Sequence, residues 1–513
     1  MCNTTDINRE MGKHEIALNY CSNKHAVQKG ANPAPKLILD GEVVEFVAGD
    51  TILQVAERAG RGHLIPRYCY HPGLPIAGTC RMCTVEVEKM VKLMTACSTP
   101  AADGMVVHTK TERVLKSRAG VMEFLLINHP LDCPVCDKAG ECDLQDNNYR
   151  YGPVTSSFLE DKRTYPKAAT KKLSEKITLN MNRCVHCERC VRFSEEVVKS
   201  CDLMMVNRSW HKELTLADDK LGLTSEYQGC LSDFCPVGAL TFNDFRFVKR
   251  SWFLQRHPSV CDGCSKGCNI EVHSEDNIIY RFTPAYNEKI NGHWICDTGR
   301  LSYHQVMDPT RIVRPMLAHN GALQATSWEL AQAATGHLLE TAKKVKVVIG
   351  TDATIEEIRY LQAALPDMFG SKFTFRSFNG TGTLSTSSQD KKLDHLLIMQ
   401  DKTANLRGAE ECKLAPLENG QINDSDLVLL VRFGRSAVPA VGNGQKLILL
   451  GVWNSAEQAS LGAAVEVMLP GLATVEKSGT YINCDGIRQQ FIPAVVHLGE
   501  GMAVNRLLRF TKK

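Results

Sequence analysis

Twenty-one cysteines stand in this 513-residue chain, and their spacing is what could do chemistry. Nineteen precede residue 300, and only Cys412 and Cys484 follow it. An odd count in a large chain without a secretory leader argues against a disulfide framework. The first set is Cys69-x10-Cys80-x2-Cys83-x13-Cys97. Pro72, Gly73 and Gly78 make its loop one in which backbone amides can approach sulfur. Four thiolates are what a [2Fe–2S] centre requires. A zinc site usually shows two C-x2-C pairs, and this set has one.

The second set is His129-x3-Cys133-x2-Cys136-x5-Cys142. By spacing alone it suits either zinc or a [4Fe–4S] cluster with one imidazole ligand. A neutral imidazole in place of a thiolate removes negative charge, which generally raises a cluster's potential. The alternative for His129 is a satisfied surface histidine beside Pro130. The third set is Cys184-x2-Cys187-x2-Cys190 with Cys235-Pro236, the bacterial ferredoxin pattern, in which a fourth ligand can come from a distant segment. Ser194 stands where a nearby Cys-Pro would be, so one cluster of this type is expected rather than two. Cys201 and Cys230 lack ligand spacing and read as ordinary buried thiols. The fourth set is Cys261-x2-Cys264-x3-Cys268-x27-Cys296, again four thiolates suited to [4Fe–4S], with all-cysteine zinc the alternative. Consecutive sets without long linkers read as a wire.

The elements that must position these residues follow from pattern. Lys36–Leu39 and Glu42–Val47 flank Asp40-Gly41, a hairpin signal. Thr51-Ile-Leu-Gln54 has capping-box spacing for a helix reaching about Ala59. With the alternation at Thr84–Glu88, this is the element order of a β-grasp ferredoxin. A helix is expected over Lys116–Asn128. Beyond residue 313, strand-like runs (Val345–Ile349, Leu427–Val431, Leu447–Val452) alternate with helical ones (Ser327–Leu339, Thr354–Ala364), which argues a parallel sheet with crossover helices. The expected organisation is a flexible extension (1–35), a β-grasp domain (36–115), a one-His three-Cys domain (116–165), a ferredoxin-like domain (166–255), a fourth cluster domain (256–312) and an α/β domain (313–513). The fold class is thus multidomain, α+β then α/β.

The net charge of +3 gives no basic footprint for nucleic acid. No run of 18 apolar residues offers a transmembrane helix. Residues 1–35 lack an apolar core and do not read as a signal peptide. Gly380-x-Gly382-x-x-Ser385 lacks the third glycine of a dinucleotide loop and is assigned to a turn. There is no P-loop, G-x-S-x-G or H-E-x-x-H motif, so wires are evident and a substrate site is not.

The phrases Ile65-Pro-Arg-Tyr-Cys-Tyr-His-Pro, Ala77-Gly-Thr-Cys-Arg-Met-Cys, Asn128-His-Pro-Leu-Asp-Cys-Pro-Val-Cys-Asp and Met181-Asn-Arg-Cys-Val-His-Cys-Glu-Arg-Cys-Val-Arg-Phe, with Cys235-Pro-Val-Gly-Ala-Leu, resemble a known family. It is the large iron–sulfur subunit of NADH:quinone oxidoreductases, respiratory complex I, of bacterial type. The match is tight over about residues 36–300. Arg311, Thr326-Ser-Trp328 and Glu476-Lys-Ser-Gly-Thr-Tyr-Ile-Asn483 resemble the molybdopterin-oxidoreductase fold more loosely, here shortened. Thr298 stands where catalytic pterin enzymes typically carry a lysine.

The resemblance implies one [2Fe–2S] cluster, three [4Fe–4S] clusters and no functional molybdopterin. It implies electron transfer from a flavin/NADH-binding subunit toward quinone-site subunits, with the Cys261 cluster off the main path. It implies a subunit of a proton-translocating NADH dehydrogenase with no substrate site of its own. The place is peripheral, at the cytoplasmic side of a bacterial inner membrane, with membrane association only through partners. A soluble NAD-linked hydrogenase or formate dehydrogenase subunit is the alternative, because such assemblies reuse these modules.

Overall fold

The computed structural model describes residues 34–165, 170–378, 391–417, 421–433, 444–452, 465–497 and 499–507. All but two residues of the expected 1–35 extension, and the Gly380–Ser385 turn, lie outside them. The chain forms two compact units, Met1–Ser251 and Trp252–Lys513.

In the first unit, strands Lys36–Leu39 and Glu42–Glu45 pair antiparallel across Asp40-Gly41. Both turn residues have positive φ, 48° and 90°, as a two-residue hairpin turn demands. Asp40 also accepts the Thr109 N–H at 2.6 Å, closing the hairpin onto the strand Val106–His108. The sheet order is Glu42–Glu45, Lys36–Leu39, Val106–His108, Thr84–Val87, Met94–Thr95. Helix Ile52–Arg58 is capped by Thr51 through a full capping box, as its sequence implies. Its Ile52, Leu53, Val55 and Ala56 pack in one core with Leu37, Val85 and Val107. Cys83 and Cys97 lie in the same core, so the sheet itself presents two thiols of the first set.

Helix Glu112–Leu126 begins earlier than the apolar pattern indicates, because Thr111 caps it by accepting the Val114 N–H. Val114, Arg118 and Met122 recur every fourth residue and form its buried face. The Arg118 guanidinium donates to the Leu64 and Thr84 carbonyls at 3.2 and 3.1 Å. It also lies 5.1 Å from the Tyr151 ring centre, in the helix Asp143–Tyr151. One buried cation therefore fastens the first two cysteine segments together. The third segment contributes a small sheet (Leu240–Phe242, Ile177–Leu179, Lys171–Lys172) and a hairpin (Leu203–Val206 with Glu213–Leu216). Its helix Arg189–Arg192 runs into a π turn, Phe193–Val197.

The second unit opens with an antiparallel sheet, Gln255–Val260, Asn269–Glu275 and Ile278–Pro284. An eight-stranded sheet follows, ordered Ala322–Ala325, Met316–His319, Val465–Pro470, Lys446–Gly451, Leu427–Arg432, Val345–Gly350, Phe373–Phe378, Ala415–Pro416. The strands from Val465–Pro470 to Ala415–Pro416 are parallel, and Met316–His319 and Ala322–Ala325 add an antiparallel edge. Helix Ile355–Phe369 outlasts the sequence expectation, continuing through Pro366 to a stop at Gly370, whose φ is +83°. Arg311 and Glu476 form a fully buried ion pair. Glu476 also accepts the Ala473 N–H at 2.9 Å, and Arg311 donates to the Val306 carbonyl at 3.1 Å.

Removing one partner of such a pair strands a buried charge. Glu476→Ala should therefore destabilise the second unit by about 3–5 kcal/mol in chemical denaturation, and a loss under about 1 kcal/mol would contradict this role for the pair.

Candidate metal centres

The loop from Gly62 to Cys83 carries the first set, and strand pairing brings Cys97 back to it. The Cys69 sulfur hydrogen-bonds those of Cys80 and Cys97, and Cys97 also meets Cys83. These contacts hold the Cys69 and Cys83 thiols below the ordinary range and push Cys80 and Cys97 above it. Backbone N–H groups of Thr79 and Cys80 point at the Cys69 sulfur, and that of Met82 at Cys80. Four converging sulfurs met by amides form a donor set that fits a [2Fe–2S] cluster.

The second set is less closed. Cys136 is buried, Cys142 partly so, and Cys133 is exposed. Cys142 stands at the N-cap of Asp143–Tyr151, where the Leu144 and Gln145 amides face its sulfur. Burial pushes its thiol up to about 11. Burial, with Arg183 and Lys162 nearby, pushes His129 down to about 4, leaving a neutral imidazole at pH 7, the ligating form. His129 is half-buried, and its charged neighbours are Arg183, Asp132 and Lys162.

Cys184, Cys187, Cys190 and Cys235 line one cavity. The remaining wall is largely apolar, including Met205, Leu214 and Val237. His186 and Glu188 take left-handed backbone, φ 52° and 60°. Alternating turns of this kind aim successive N–H groups inward. The His186, Arg189 and Val191 amides accordingly face Cys184, Cys187 and Cys190. Burial pushes the Cys187 thiol up to about 11, and Cys184 and Cys190 up as well. Thiols such as Cys184, Cys187 and Cys190 that resist ionisation in an apolar cavity become thiolates only with a compensating cation, which fits an iron–sulfur occupant.

Cys261, Cys264, Cys268 and Cys296 line a second cavity. A Cβ on Gly299 would lie 3.0 Å from the Cys261 sulfur and 3.4 Å from that of Cys296, so glycine gives the sulfurs their room. Burial drives Cys261 and Cys268 well up and Cys296 up to about 11. Thr298 lines this cavity, and so does Lys402 from the α/β part of the unit. Among the described residues, no three His, Cys, Asp or Glu side chains are grouped as they would be around a single metal ion. Cys230 is buried as expected, Cys201 only half-buried, and neither lines the Cys184 cavity.

Sequence spacing did not reveal the residues between the sets. Arg189 Nη2 donates to the Tyr70 carbonyl at 2.8 Å, and Nη1 to the Phe234 carbonyl at 2.7 Å. Arg192 Nη2 donates to the Cys69 carbonyl at 2.5 Å and to that of Cys187 at 3.3 Å. The two guanidiniums thereby join the ligand loops of the first and third sets. Gly238 joins the third to the second, for a Cβ there would fall 2.2 Å from the Cys136 sulfur. Arg250 also clasps the Pro134 and Cys136 carbonyls, both at 2.5 Å. For Arg189, Arg192 and Gly238 the prior signal was position, since they stand near cysteines in the quoted motifs, whereas Arg250 lies outside them.

Four family models match in order along the chain. They are a 2Fe-2S iron-sulfur cluster binding domain (36–112), the NADH-ubiquinone oxidoreductase-G iron-sulfur binding region (118–156), the ferredoxin-like domain of NADH-quinone oxidoreductase subunit 3 (174–241) and the molybdopterin oxidoreductase Fe4S4 domain (254–308). An NADH-quinone oxidoreductase subunit of Rickettsia typhi is 37% identical over 80% of this chain and 59% of its own length. The NADH-ubiquinone oxidoreductase 75 kDa subunit of Reclinomonas americana is 37% identical over 77% of this chain and 55% of its own. A mitochondrial NADH dehydrogenase [ubiquinone] iron-sulfur protein 1 of Solanum tuberosum is 41% identical over 67% and 46%. The chain thus spans about three-fifths or less of these relatives. A chain from a crystal structure of NAD+-reducing [NiFe]-hydrogenase aligns over 43% of this one and 92% of its own at 30% identity, with a TM-score of 0.38, too low to equate the folds. With [2Fe–2S] and [4Fe–4S] domains in succession, the chain is a homologue of the 75 kDa type of iron–sulfur subunit of NADH-quinone oxidoreductase.

Proposed function

We propose that this chain relays electrons within an NADH:quinone oxidoreductase, from a flavin/NADH-binding subunit toward the quinone-site subunits. The observation that carries the reading is the direct backbone linkage between cysteine loops by Arg189 and Arg192. Cys69, Cys80, Cys83 and Cys97 would hold a [2Fe–2S] cluster. His129, Cys133, Cys136 and Cys142 would hold a [4Fe–4S] cluster, as would Cys184, Cys187, Cys190 and Cys235, and Cys261, Cys264, Cys268 and Cys296. When bound, such clusters supply reversible one-electron chemistry, with potentials set by charge, hydrogen bonds and exposure.

The protein's own groups do the rest. The inward amides stabilise negative charge on sulfur. The apolar wall around the Cys184 set excludes water. The guanidiniums fix the spacing of the loops and add positive charge beside them. Contacts run from the first set to the third through Arg189 and Arg192, from the third to the second through Gly238, and from the first segment to the second through Arg118, so the three sets form one contiguous relay. The fourth set, in the other unit, is read as a side branch. No described helix is long and apolar enough to cross a membrane. Attachment at the cytoplasmic side of a bacterial inner membrane through partner subunits completes the reading.

Anaerobically purified chain should carry about 14 iron atoms. In the assembled complex, Cys184→Ala should abolish NADH-to-quinone electron transfer, while Cys261→Ala should spare most of it. Full turnover in the first variant, or none in a stably assembled second, would overturn the assigned path. Gly238→Ala should displace Cys136 and remove the paramagnetic signal of the His129 set, leaving the [2Fe–2S] signal intact. An unchanged spectrum would refute the close approach of Gly238 to that site.

A further inference from the structure

The cavity of the fourth cysteine set has walls from two parts of the second unit. The ligand loops supply the four cysteines with Gly263 and Gly299. Leu397, Ile398 and Lys402 supply another wall, from a segment far along the chain. That segment opens as a small hairpin. Lys392 and Met399 form an antiparallel bridge, and the Gln400 N–H donates to the Lys391 carbonyl at 2.8 Å. The Asp394 carboxylate holds the tip by accepting the Leu396 and Ile398 N–H groups at 2.9 and 3.0 Å.

Lys402 is fixed from both sides. Before it, the Asp401 carbonyl accepts the Ser265 N–H at 3.0 Å, which ties the segment to the ligand loop itself. After it, Thr403 Oγ1 meets Thr351 Oγ1 at 2.6 Å, just beyond the central strand Val345–Gly350. Asp401 and Thr403 are each 1% exposed, so the lysine backbone is held between two buried residues. Its ammonium donates to the Met399 carbonyl at 2.7 Å, a neutral acceptor that leaves the charge in place. It is near enough to the Cys296 sulfur for that charge to favour the thiolate. Lys266, between Cys264 and Cys268 in the ligand loop, has its charge offset by Asp485 at 2.7 Å.

Net charge is one of the levers on a cluster's potential, and reduction adds a negative charge. A fixed cation in the wall favours the reduced form by Coulomb attraction. We infer that Lys402 tunes the Cys261 centre, holding its potential above the value that the ligand loops alone would give. The α/β part of the unit thereby serves this centre by delivering the charge on a pinned segment. Lys402 is a tuning residue and not a ligand. The inference rests on reading the Cys261 set as a [4Fe–4S] site.

The test is a redox titration of the assembled complex by electron paramagnetic resonance, following the signal that Cys261→Ala removes. In Lys402→Met that signal should persist with full iron content. At a fixed potential, its ratio of reduced to oxidised cluster should fall about threefold, a modest change because Lys402 is exposed and solvent screens its charge. Lys402→Arg should restore the wild-type ratio, and the three other signals should titrate as before. A ratio indifferent to Lys402→Met, a loss of iron from that variant, or a Lys402→Arg variant that behaves like it would each overturn the inference. A wild-type complex without any signal that depends on Cys261 would instead sink the assignment of a cluster to the fourth set.

Discussion

A buried thiolate is costly unless something positive meets it, and this chain gathers its thiols in sets, most of them buried. That constraint shapes the local structure around each set. Left-handed turns at His186 and Glu188 aim amides at sulfur. Gly299 yields the room that a Cβ would occupy. The Cys142 sulfur stands where a helix begins and its first amides are open. Partial positive charge of this kind lowers the cost of ionised sulfur without discharging it, and a metal cluster does the remainder.

The same economy of charge links the sets. Arg118, Arg189 and Arg192 are long cations whose guanidiniums end on backbone carbonyls of neighbouring segments. Their planar donor forks can hold two carbonyls at once, which a lysine cannot do in the same plane. Position is thereby set by backbone contact and not by side-chain packing alone. The third segment touches the first through Arg189 and Arg192 and the second through Gly238.

Much of this was legible in the sequence. The Asp40-Gly41 hairpin, the Thr51 capping box and the alternating strands and helices after residue 313 are local signals, and local physics decided them. The cysteine sets could be grouped by spacing because ligand loops are short. Cys97, Cys235 and Cys296 are distant, and their return to the loops rests on strand pairing and tertiary packing. The arginine bridges were hidden for that reason. Arg189 and Arg192 sit among other charged residues, and nothing local says that their targets lie some 120 positions earlier. Helix limits shifted by a few residues where a cap such as Thr111, and not the apolar pattern, set the start.

The central claim is that the Cys69 and Cys184 sets form adjacent stations of one relay. Electron paramagnetic resonance of the reduced, assembled complex tests it most directly, through the relaxation of the [2Fe–2S] signal. Adjacent stations should give fast relaxation and spin–spin broadening that vanish when Cys184 is replaced by alanine. A [2Fe–2S] signal that relaxes as an isolated centre, and is indifferent to that replacement, would contradict the claim.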